Sequence, residues 1–176
     1  LGNYAQALKS YQVIISERNN LQEEKCLLFL GKIQIDSVSS DTQASYALDL
    51  ARKGFFTEAL KIYETLAIQK KLTPVQNFDY ITVLSWAGKN KEAAEHFEIS
   101  DEPISNIPVY MYKTLGDIYV GIQDFAKAKS FYSTGIQLND VGCSLALSSL
   151  LYDEGDFSGT LAILNKLVEN RPQSPE

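Results

Sequence analysis

Residues 109–140, VYMYKTLGDIYVGIQDFAKAKSFYSTGIQLND, decide how the rest of the chain is read. Tyr112, Leu115, Gly116 and Tyr119 recur at the i, i+3, i+4, i+7 spacing of one helical face. Phe125, Ala128 and Tyr132 repeat that spacing after a break at Gly121-Ile122-Gln123-Asp124. Two short helices separated by a tight turn follow from this pattern. The small residues Gly116 and Ala128 stand beside the rings of Tyr119 and Tyr132. Helix axes approach closely only where a missing side chain leaves a socket for a neighbour's ring.

The pattern recurs along the chain. Before residue 109, Tyr46, Ala47 and Leu50 lead to Gly54, then Phe56, Ala59, Tyr63 and Ala67. Tyr80, Ile81 and Leu84 lead to Gly88, then Ala93 and Phe97. After it, Leu147 and Leu151 lead to Gly155, Phe157, Leu164 and Leu167, with Ser148 and Thr160 at the small positions. Gly2, Gly54, Gly88 and Gly155 mark the breaks, with Gln123 at the equivalent place, so the spacings are 52, 34, 35 and 32 residues. The first fragment, LGNYAQALKSYQVII, fits a second helix through Gly2, Tyr4, Ala7, Tyr11 and Ile14. The 52-residue interval holds residues 20–40, where Asn20 and Glu23 form a capping pair and Leu27, Leu28, Leu30, Ile33 and Ile35 make an apolar helix ending near Asp36. This is either an extra helix or a long, kinked one. Ser40 with Gln43, and Thr73-Pro74-Val75-Gln76, read as capping boxes, the second with proline at the first helical position.

These offsets of Leu-Gly, Tyr, Ala and Phe/Tyr resemble the tetratricopeptide repeat, a helix–turn–helix unit of about 34 residues. The resemblance covers nearly the whole chain. It implies an all-α fold, a right-handed α-solenoid of antiparallel helix pairs. Residues 1–20 are then the second helix of a truncated repeat, 21–40 an irregular extra helix, and 41–73, 74–108, 109–140 and 141–173 repeats of a single array. Ser100–Pro108, with two prolines, is a joint between units and the place of greatest freedom. The start at Leu1 and the stop just after Ser174-Pro175 read as cuts in a longer array, with Pro172 closing a repeat. Tyr4 and Leu8 at one end, and Leu161 and Leu164 at the other, are then expected to leave apolar surface that can pair end to end between molecules.

In the family the first helix of each unit lines a concave face. Carrying the register over names Asp41 and Arg52; Phe78, Thr82 and Trp86; Tyr110, Lys113 and Asp117; and Ser149, Tyr152 and Asp153. The resemblance implies a scaffold that binds a partner protein or peptide there, anchored by aromatics and oriented by charges. Trp86, Tyr110 and Tyr152 also suit a polysaccharide, whose apolar ring faces stack on aromatics. The run from Asp79 to Ala93, with LSWAGKNKEA at its core, is similar to repeats in bacterial outer-membrane exopolysaccharide export proteins. That similarity implies, as an alternative, a periplasmic array that recruits modifying enzymes or contacts the polymer. A third reading is a spacer whose groove binds nothing. The compartment, cytoplasmic or bacterial periplasmic, stays open.

Composition narrows the classes. The 176 residues are 45% hydrophobic and 22% charged, which is globular composition. The net charge is −6, and the densest basic groups are only Lys70-Lys71 and Lys89 with Lys91. Nucleic-acid binding needs a basic stripe that displaces counterions, so no nucleic-acid partner is expected. No apolar run reaches the roughly 20 residues of a membrane span, so no membrane insertion is expected. No Ser/His/Asp set, HExxH motif, phosphate loop or clustered metal ligand occurs, and neither catalysis, cofactor nor metal is expected. The single histidine, His96, reads as a surface residue of a second helix, and Cys26 and Cys143 as small buried side chains.

Overall fold

The computed structural model describes residues 20–100, 103 and 106–169. They form helix α1 (20–29), a 3₁₀ turn at Ile35–Ser37, and helices α2 (Ser40–Arg52), α3 (Phe56–Ile68), α4 (Pro74–Trp86), α5 (Asn90–Ser100), α6 (Val109–Gly121), α7 (Phe125–Gln137), α8 (Val141–Asp153) and α9 (Phe157–Glu169). The described residues contain no strand, so the fold class is all-α. The expected helix before residue 20, with Tyr4 and Leu8, lies outside the described residues, as do Pro172 and Ser174–Glu176 and most of the 101–105 segment where freedom was expected.

One chemical device sets the period. Gly31, Gly54, Lys70, Gly88, Gln123, Asn139 and Gly155 all have positive φ. Each lies just past a helix end, and each takes part in the same pair of backbone bonds. Its own N–H reaches back three residues, and the next N–H reaches back five, at 2.8–3.0 Å. This left-handed cap satisfies carbonyls that a helix end leaves open, and it stops the helix. Gly54, Gly88, Gln123 and Gly155 occupy the turns inside α2–α3, α4–α5, α6–α7 and α8–α9, so Gln123 is the equivalent of the glycines in conformation as well as position. The helices that follow these turns start at Phe56, Asn90, Phe125 and Phe157, which reproduces the spacings of 34, 35 and 32.

The same device overturns one expectation. The apolar run in residues 20–40 ends its helix at residue 29, not near Asp36, because Gly31 at φ 66° closes the cap. Ile33 falls outside the helix and Ile35 falls in the 3₁₀ turn. Asn20 is itself helical rather than the residue before the helix. The extra helix is absorbed by polar pairing with α2: Thr42 Oγ1 donates to Glu24 at 2.6 Å, and Lys25 Nζ lies 2.5 Å from the Asp49 carboxylate. Leu28 is buried on α1. Cys26 stands about 200° around the helix from it and is exposed, not buried as expected.

Helix starts follow local chemistry. Thr73 and Gln76 make the expected reciprocal box, at 3.0 and 3.3 Å, ahead of Pro74. The cap of α2 is Ser39, one residue earlier than expected; its hydroxyl accepts from the Thr42 N–H at 3.1 Å, while Gln43 donates to the Val38 carbonyl. Asp124, Asp140 and Asp156 accept from the N–H groups of Lys127, Cys143 and Gly159.

The chain forms two compact units, and the boundary falls between Val83 and Leu84, inside α4. In the first unit α2 packs on α3. Tyr63 is fully buried, stacks on Tyr80 with centroids 5.4 Å apart, and donates to the Ala44 carbonyl at 3.0 Å. Burial, with Asp79 nearby, pushes its phenol well above the ordinary range. In the second unit each helix from α5 to α9 packs on its chain neighbour, and α6 also touches α8. Phe131 centres a ring cluster with Phe97, Tyr112 and Tyr119. Gly116 faces the Tyr132 ring so closely that an added Cβ would stand 2.7 Å from ring Cζ. Gly135 likewise admits Cys143, whose buried thiol is pushed up to about 12. His96 is half-buried rather than at the surface, and burial lowers its pKa.

Candidate functional site

In the first unit the expected surface residues separate. The Asp41 carboxylate is exposed and accepts from Gln76 Nε2 at 2.8 Å, joining the start of α2 to the start of α4. Arg52 is exposed near Asp49, at 3.5 Å. Thr82 is half-buried, its hydroxyl donating to the Phe78 carbonyl at 2.8 Å. Phe78, expected on an open face, is only 1% exposed and belongs to the core. The reason lies in α4 itself. Phe78, Tyr80, Ile81, Val83 and Leu84 are buried around most of its circumference, and a helix apolar on every side is an interior helix.

The second unit behaves differently. Trp86, Tyr110 and Tyr152 are 47%, 52% and 60% exposed. None of these aromatics lines the two hollows described below. Tyr152 is occupied edge-on with Phe157, centroids 5.3 Å apart. The polar members of the expected set do come together. Lys113 and Asp117 on α6, with Ser149 and Asp153 on α8, line one open depression of about 410 Å³. Its floor is apolar: Val120 from α6, and Leu145, Ala146 and Leu150 from α8. It lies where α6 and α8 are in contact, and Tyr132 of α7 completes its lining.

The electrostatics of the depression are largely self-contained. Lys113 Nζ lies 2.6 Å from Asp117 Oδ2 across one helical turn. Tyr132, from α7, donates to Asp117 Oδ1 at 2.7 Å, and burial together with that carboxylate holds its phenol far above the ordinary range. Both oxygens of Asp117 are therefore engaged. The stem of Lys113 lies over Gly142, where an added Cβ would stand 3.0 Å from Lys113 Cδ. Val120, Tyr132, Gly142, Leu145, Ala146 and Leu150 are the lining residues that the register did not name. The sequence marks Tyr132 only as a packing ring; its place opposite Gly116 carries its hydroxyl to the adjacent residue, Asp117. The nearby acid Glu154 is paired with Lys129 of α7. Asp153 has no hydrogen-bond or ion-pair partner among the described residues.

The arrangement offers charges, a hydroxyl and apolar floor to a side chain, and no activated nucleophile. Among the described residues, no group of three or more His, Cys, Asp or Glu is placed to hold a metal ion, and no helix is long and apolar enough to cross a membrane. The larger hollow of about 660 Å³, between α7, α8 and α9, is lined by Ile136, Val141, Ile163 and Leu167, with Lys166 at its edge. At this end Leu161 is exposed and Leu164 is half-buried. Compared with protein-family models and with curated proteins, the chain matches none.

Proposed function

We propose that the chain is a stretch of tetratricopeptide-like right-handed solenoid, built of antiparallel helix pairs, that holds a partner protein or peptide and catalyses nothing. The observation that carries this reading is the meeting of Lys113, Asp117, Ser149 and Asp153 in one depression. Those positions come from the first helices of successive units, where the repeat register puts ligand contacts. Recurrence of the 13-residue helices and of the left-handed caps at 34, 35 and 32 residues supports the repeat itself. A polysaccharide reading has less support, because Trp86, Tyr110 and Tyr152 do not line the depression that gathers the polar members of the register, and Tyr152 is engaged edge-on with Phe157.

A site-specific photo-crosslink tests the reading. p-Benzoylphenylalanine placed at Ser149 should give a discrete adduct with a partner polypeptide. The same group at exposed Ser133 on α7, outside the depression, should not. Adducts of equal yield at both positions, or none at Ser149, would refute it.

A further inference from the structure

We infer that the α6–α8 depression accepts a basic, extended peptide segment, with a lysine or arginine stem lying on Val120, Leu145 and Leu150 and its head meeting Asp153. This rests on the peptide-binding reading above and narrows it to one charge class.

Charge distribution is the first argument. Up to Val83, nine Lys and Arg balance nine Asp and Glu; from Leu84 onward, seven stand against thirteen, so the whole net charge of −6 belongs to the second unit's sequence. A field of that sign draws cationic segments toward the unit and repels acidic ones. The local pairings are the second argument. Lys113 is neutralised by Asp117, its stem is seated over Gly142, and Lys129 is neutralised by Glu154. The cations near the depression are thus already engaged and offer little to an acidic ligand. Asp153, at the exposed end of α8, is the carboxylate at the rim without a partner among the described residues. The third argument is shape. A long basic side chain carries an apolar stem and a charged head, which matches an apolar floor that ends at a free carboxylate. The occupant is therefore a polypeptide rich in Lys or Arg, and the two cations are distinguished by the test, since a planar guanidinium pairs with a carboxylate through two parallel bonds and an ammonium through one.

A phage-displayed library of random linear peptides, selected on the full chain and counter-screened on Leu145→Lys, tests this. Leu145 is exposed, so the variant fills the floor with charge without touching the core. Peptides enriched in Arg or Lys, and lost on Leu145→Lys, are the expected result. By fluorescence anisotropy, Asp153→Asn should weaken the best of these about fivefold, the upper range for one solvent-exposed ion pair. Asp153→Lys should weaken it more than about tenfold, and binding should fall as salt is raised. Winners that are acidic or uncharged, yet still lost on Leu145→Lys, would overturn the basic preference and leave peptide binding standing. Loss of affinity at Leu145→Lys with no change at Asp153→Asn or Asp153→Lys would also overturn it. The absence of any peptide sensitive to Leu145→Lys would overturn both.

Discussion

Gly116→Ala is the most informative single change, because two known effects push its outcome in opposite directions. Replacing a glycine inside a helix with alanine removes backbone freedom from the unfolded chain and gains about 1 kcal/mol. At Gly116 the new methyl carbon would stand 2.5 Å from Tyr132 Cδ1 and 2.7 Å from Cζ, against the roughly 3.5–4.0 Å of a relaxed carbon contact. The ring has little room to retreat. Tyr132 is 2% exposed, and its hydroxyl is held by Asp117 at 2.7 Å. Either α6 and α7 part, or the Asp117 bond breaks. Overpacking of this kind costs about 1–3 kcal/mol and occasionally more, so a net loss of about 1–2 kcal/mol is expected. Urea denaturation followed by far-UV circular dichroism measures it, as a lower midpoint at unchanged slope. Tyr132→Val ends the side chain at Cγ, short of the three ring atoms involved. In that background Gly116→Ala should become neutral or stabilising, and the double-mutant cycle should return a coupling above about 1 kcal/mol. A Gly116→Ala protein as stable as the parent, or more so, would show that propensity governs here and that the close approach of α6 to α7 is not what requires glycine.

Gln123→Gly should stabilise the second unit by up to about 1 kcal/mol in the same assay, because Gln123 holds φ 64° where the equivalent turns use glycine. Tyr63→Phe should cost about 1–3 kcal/mol, since it leaves the Ala44 carbonyl without its 3.0 Å donor in the core. Asp79→Asn tests the linkage of charge to stability. Burial raises the Asp79 pKa above its ordinary 3.8, against the opposing effect of Arg52, so the folded state binds its proton more tightly than the unfolded state. The parent protein should therefore lose stability as pH rises from 3.8 through the folded pKa, and the variant should lack that loss. Equal slopes of stability against pH for the two proteins would count against the burial of Asp79.

The period of this fold is legible in the sequence because its cause is local. A glycine at the end of an apolar helical rhythm can take the positive φ that caps a helix through its own backbone bonds, so Gly54, Gly88 and Gly155 announce the turns before any packing is known. Gln123 could be placed by spacing alone. The socket of Gly116 was readable too, since a small residue one helical turn from a large one has few other uses. The boundary at Gly31 is hidden in the sequence because Ile33 and Ile35 continue an apolar rhythm, yet the cap bonds at Gly31 and Lys32 outweigh two half-buried side chains.

Tertiary structure decided which faces remained open. Phe78 and Lys113 stand equally far before the equivalent turn residues Gly88 and Gln123, yet one is sealed in the core and the other lines a depression. Periodicity says which residues share a side of a helix; it does not say how many sides are covered. In α4 the apolar residues run nearly all the way round, and neighbours close over them. In α6 and α8 the polar residues Lys113, Asp117, Ser149 and Asp153 interrupt that run, and the gap left between the two helices is the depression. The pairing of Tyr132 with Asp117, and the unpaired state of Asp153 among the described residues, depend on distances across three helices, which no spacing along one of them contains.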